Sequence, residues 1–113
     1  MEIKVYDKQK RTSQILTVGD NVTLTELAHA IGLYFNLEMF GHTFLFCVKL
    51  RRYSNYRDFL VYNDETYFDK INERDNNKST NTKCLFALDK VGSKLLFVQD
   101  LGDQNEFIIT RKL

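Results

Sequence analysis

The chain has 113 residues, 43% apolar and 27% charged, with 16 Lys plus Arg set against 15 Asp plus Glu. That size and composition belong to one compact domain and exclude a fibrous or disordered architecture. A formal net charge of +1 excludes a global field that gathers polyanions and an acidic surface that imitates a nucleic acid, so any nucleic-acid contact has to be local.

Glu2 to Tyr6 alternates charged and apolar residues, with Ile3 and Val5 on one face, and Gln14 to Val18 is a second run rich in β-branched residues. Both patterns predict strands. The polar segment Asp7 to Ser13 between them, and the turn formers Gly19-Asp20-Asn21 after them, make the opening a hairpin. A helix start follows: Thr23 can cap the first amides, Glu26 three residues on can reach back, and Val22 can pack on Leu27 across the cap. Leu24, Leu27, Ala28, Ile31 and Phe35 then recur on one helical face, and Gly32 weakens the helix without ending it.

Gly41 reopens extended structure, and His42 to Leu50 has the length and aromatic content of a central strand. Phe59 to Tyr62 reads as a further strand closed by a turn at Asn63-Asp64. Asn72 to Lys83 contains no apolar residue, cannot bury area to offset its ordering entropy, and is expected to be a mobile loop. Cys84 to Leu88 predicts one helical turn, and Gly92 leads into a closing hairpin of Leu95 to Val98 and Phe107 to Thr110, with Gly102 supplying the positive φ of its turn. The expected fold is a single α+β domain over residues 1–113, with one main helix packed on a mixed or antiparallel sheet of about five strands and a β-grasp-like start. No apolar run is long enough to cross a membrane and the N-terminal residues do not pattern as a signal peptide, so a cytosolic protein is expected, with Cys47 and Cys84 as buried free thiols.

Lys49, Arg51, Arg52 and Arg57, interleaved with Tyr53 and Tyr56, form the one basic and aromatic cluster. Such a cluster can anchor a protein interface, clamp phosphates and stack bases, or pair as a solvated strand end with Asp58, Asp64 and Glu65. Asp100, Asp103 and Glu106 can offer oxygen to a hard cation, but Asp on either side of Gly102 is ordinary turn chemistry, and a structural turn is the expectation. His29 and His42 lack zinc spacing; His42 with Asp100 or Asp103 as orienter would make a base, yet no nucleophile is marked for it. No metal and no cofactor is expected.

Leu24, Leu27, Ile31, His42, Phe44, Leu85, Leu88, Gly92, Leu96, Phe97, Asp100, Gly102, Asp103 and Ile108, in that order, resemble the plasmid ORF-3-like family, whose members travel as passengers of insertion elements under a resolvase-like label. Family members usually carry a Trp after the helix and an aromatic-plus-His pair after Asp-x-Gly-Asp; Asn36-Leu37-Glu38 and Gln104-Asn105-Glu106 stand in those places here. The resemblance implies a small α+β domain from a phage or mobile element. The expected function is non-enzymatic protein binding in the cytoplasm of a host bacterial cell, directed at a host protein or nucleoprotein complex. An inhibitor of a defence nuclease of the anti-CRISPR kind would fit. The alternatives are a nucleic-acid-binding accessory protein in transposition or recombination, and a metal-dependent hydrolase.

Overall fold

The computed structural model describes residues 1–39, 44–49, 59–63, 77–100 and 105–113. Strands β1 (Glu2–Asp7) and β2 (Thr12–Thr17) form the opening hairpin, pairing from Glu2 with Thr17 to Asp7 with Thr12. Asp7 is buried at the turn, where its Oδ1 accepts the amides of Gln9 at 2.9 Å and Lys10 at 3.2 Å. A buried carboxylate is tolerated when backbone donors replace its water.

Helix α1 (Leu24–Tyr34) begins with the reciprocal cap that its sequence predicts: Thr23 Oγ1 accepts the Glu26 amide and Glu26 Oε1 accepts the Thr23 amide, both at 3.2 Å. Leu24, Leu27, Ala28, Ile31 and Gly32 form its buried face. Gly32 is where Met39 folds back: a Cβ there would lie 2.4 Å from Met39 Cγ. This glycine therefore serves a close approach, at a place where helix propensity alone would favour alanine.

The polar tract 72–83 differs from the mobile loop expected of it wherever it is described. Asn77–Ser79 is a short strand, β5, and Thr80 is buried with its Oγ1 accepting from Thr25 Oγ1 at 2.8 Å. The Thr82 and Thr80 carbonyls accept the amides of Leu24 and Thr25, both at 2.9 Å. These are first-turn amides with no acceptor inside the helix, so the segment is ordered by hydrogen bonds in place of apolar burial. Residues 72–76 lie outside the described residues. The single turn α2 (Cys84–Ala87) follows, its Cys84 amide bonded to Val22 O at 2.8 Å and its end held by Arg111 Nη1 on Leu88 O at 2.8 Å.

The remaining strands are β3 (Phe44–Lys49), β4 (Phe59–Asn63), β6 (Lys94–Gln99) and β7 (Asn105–Arg111). Among the described residues the sheet order is β2-β1-β7-β6-β3-β4-β5. The series from β2 to β3 supplies the expected five antiparallel strands; β4 extends it antiparallel and β5 joins β4 in parallel, which makes the sheet mixed. With α1 and α2 the domain is α+β. Among the described helices none is long and apolar enough to cross a membrane.

Alternation along each strand sends Ile3, Val5, Phe44, Phe46, Leu95, Phe97, Phe107 and Ile109 to the helix side, where they join Leu24, Leu27, Ala28, Ile31, Cys84 and Leu88 in one core. Phe46 stacks on Phe97 with centroids 4.8 Å apart, and Phe107 links Phe97 at 5.8 Å to Phe35 at 5.1 Å. Burial of each fully buried ring is worth roughly 1.5–3 kcal/mol, so this aromatic row across β3, β6 and β7 supports the sheet together with the buried Ile3, Val5, Leu95 and Ile109.

Candidate functional site

The same alternation leaves a second face of the sheet turned away from the helices, and among the residues whose burial is described none of its side chains belongs to the core. Tyr6 stands beside Ile108, Ile108 beside Leu96, and Leu96 beside Cys47, so four strands contribute one half-buried apolar row. Val98 and Leu45 pair one step further along β6 and β3.

A second row runs beside the first. Lys4 pairs with Thr110, and Thr110 pairs with Lys94. Lys94 is exposed and Lys4 half-buried. Amphipathic lysines in such places lay their stems along the apolar row and keep their ammonium groups in water. The face is thus an apolar strip with a basic border on one side. On the other side Lys8 and Glu106 form an ion pair at 3.4 Å.

Of the residues expected at the partner site, Lys49 ends β3, while Arg51, Arg52, Tyr53, Tyr56 and Arg57 lie outside the described residues. Lys4 and Lys94 escaped sequence reading because they are 90 residues apart and meet only through β7. Period-2 alternation did mark each as facing away from its buried neighbours, which was the one available signal.

At the closing hairpin, Asp100 adopts a left-handed backbone with φ 58°. The sequence assigned that conformation to Gly102, which lies outside the described residues together with Asp103. Asp tolerates this region because its short side chain can bond locally. Glu106 is engaged by Lys8, and among the described residues no cluster of three His, Cys, Asp or Glu side chains could hold a metal ion. His29 is exposed on α1, edge-on to Phe44 at 6.1 Å; His42 lies outside the described residues.

Cys47 is half-buried on the open face, against the expectation of burial, because its strand directs it away from the helices. Cys84 is fully buried and donates to Thr23 O at 3.5 Å. Burial pushes its thiol up to about 12, with the Glu26 charge adding to the rise against a backbone hydrogen bond that lowers it. Such a thiol is not a nucleophile at neutral pH. The N-terminus of α1 is likewise closed to anions, since its leading amides are held by Thr82 O, Thr80 O and Thr23 Oγ1.

Compared with protein-family models, with curated proteins and with solved structures, the chain matches none.

Proposed function

We propose that the protein is a non-enzymatic binding module that docks an acidic protein surface on the open face of its sheet. The observation that carries this reading is the Tyr6-Ile108-Leu96-Cys47 row lying beside the row in which Lys4 and Lys94 flank Thr110. An apolar strip supplies the desolvation that drives association, and a basic border steers the partner and fixes its register. The wider reading rests on the resemblance to the plasmid ORF-3-like family alone: carriage by a phage or mobile element, action in the host cytoplasm, and a host protein or nucleoprotein complex such as a defence nuclease as target.

Lysine rows also suit phosphates, which keeps the nucleic-acid-binding accessory protein as a second reading. The test is capture from host lysate, purification of the captured macromolecule, and titration across salt with wild type and with Lys4→Glu/Lys94→Glu. The proposal expects a purified acidic protein, a shallow salt dependence, and binding weakened roughly tenfold in the double variant. A nuclease-sensitive partner with a steep salt slope selects the nucleic-acid reading. Equal binding by both forms removes the open face from the interaction.

A further inference from the structure

We propose that β2 is a self-docking edge: a second copy of this chain pairs with it antiparallel about a two-fold axis at Ile15, making one continuous sheet across a dimer. Val18 N donates to Met1 O and Met1 N donates to Val18 O, both at 2.9 Å, so this pair is a hydrogen-bonded one. Antiparallel alternation then turns the backbone groups of Leu16, Gln14 and Thr12 toward β1 and those of Thr17, Ile15 and Ser13 outward. β2 ends the sheet, and among the described residues no strand meets these outward groups.

Sheet edges are normally guarded by charge, proline or a bulge. Thr12-Ser-Gln-Ile-Leu-Thr17 has no charge and no proline, its register with β1 is unbroken, and Ile15 is 52% exposed. The hydrogen-bonding pattern selects the register. Using all three outward residues of both copies sets Ser13 against Thr17 and Ile15 against the Ile15 of the second copy, each pair exchanging two bonds. Beyond the strand ends, the same pairing puts the turn that carries Lys10 next to the turn that carries Asp20 of the second copy, at both ends of the seam. Lys10 is exposed, and the Asp20 side chain is 78% exposed with the Met1 ammonium 3.8 Å away. On the helix side, Tyr34 reaches over to Gln14 at 3.2 Å, which places the end of α1 and its exposed Leu33 and Tyr34 at this border. Two-fold pairing uses β2 of both copies, so assembly closes at two.

The docking uses the outer backbone edge of β2, whose Ile15 stands beside Lys4 on the open face; it depends on this chain alone and stands whether or not an acidic partner exists. Sedimentation equilibrium and amide exchange by NMR on the full chain, from micromolar to millimolar, test it. The expected result is a monomer–dimer equilibrium in which the Ser13, Ile15 and Thr17 amides gain protection with concentration while Gln14 and Leu16 do not change. Ile15→Lys abolishes the dimer, and retained Gln14 protection shows the hairpin intact. Lys10→Asp weakens dimerisation roughly tenfold, and adding Asp20→Lys restores it. A monomer at millimolar concentration, a dimer that survives Ile15→Lys, assembly beyond two, or a charge swap that fails to restore affinity overturns the proposal.

Discussion

Cys84 lies in the core against the start of α1, where burial strips a thiolate of its hydration and the Glu26 carboxylate repels it, against a backbone hydrogen bond that favours it. Its ordinary value is 9.0 and its folded value about 12. Because the folded value is raised, the contribution to stability is complete below 9.0 and is lost as pH rises toward about 12, where only the unfolded chain releases the proton. Unfolding free energy should therefore fall through that window with an added slope of up to about 1.4 kcal/mol per pH unit. The slope should be missing from Cys84→Ala, as denaturant titrations at stepped pH would show, and an identical pH profile in both proteins would refute the assignment. Gly32 gives a second prediction. Alanine inside a helix ordinarily gains about 1 kcal/mol over glycine, but here its Cβ meets Met39 Cγ at 2.4 Å. Gly32→Ala should instead cost about 1–3 kcal/mol, and Met39→Ala should relieve that cost in a double-mutant cycle. The two sites differed in legibility. Thr23 and Glu26 are three residues apart and announce their cap locally, whereas the return of Met39 onto Gly32 depends on a chain reversal through Asn36 at φ 57° that no local pattern encodes.

At the scale of elements, α1 is fixed at its start by two layers of hydrogen bonding: its own capping box, and the backbone of residues 80–82. Thr23→Ala should destabilise the fold by about 1 kcal/mol through the first layer. Thr80→Val probes the side-chain bond that backs the second, since it keeps the volume and removes the Oγ1 to which Thr25 Oγ1 donates at 2.8 Å, leaving that hydroxyl the Thr80 carbonyl at 3.1 Å. A loss of about 1 kcal/mol is expected, together with faster exchange of the Leu24 and Thr25 amides. An undocked segment would show neither effect, so the variant separates the observed order from the loop expected on composition. Composition weighs apolar burial alone, so it could not show that Asn77 to Ser79 pair with β4 or that the Thr80 and Thr82 carbonyls are offered to orphan helix amides. The strands were legible because alternation is local; Ile3 and Val5, or Leu95 and Phe97, declare their buried face at period 2. The basic row was not, since Lys4 and Lys94 become neighbours only through the register of each with Thr110.

At the scale of the molecule, strand order is the property that local patterns leave undetermined. The last strand in sequence, β7, runs between β1 and β6, and among the described strands it alone joins the opening hairpin to the rest of the sheet. Ile3 pairs with Arg111, and next to them Glu2 exchanges backbone hydrogen bonds with Lys112 and Leu113 at 2.8–3.2 Å. Contacts of such sequence separation incur their loop-closure entropy before they return any burial, which slows folding relative to a fold built from local contacts. They also make the fold one cooperative unit. Removing residues 105–113 would delete both β7 ladders, take Phe107 and Ile109 out of the core, and leave Ile3, Val5, Leu95 and Phe97 without their cross-strand cover. The two lost side chains alone represent about 3–6 kcal/mol of transfer free energy, comparable to the whole stability of a small domain at about 5–15 kcal/mol. A chain ending at Gln104 should therefore show no cooperative thermal transition by circular dichroism and no amide protection in β1 or β6. If it melted cooperatively with the β1–β2 hairpin still protected, β7 would be an accessory strand and the central position assigned to it would be mistaken.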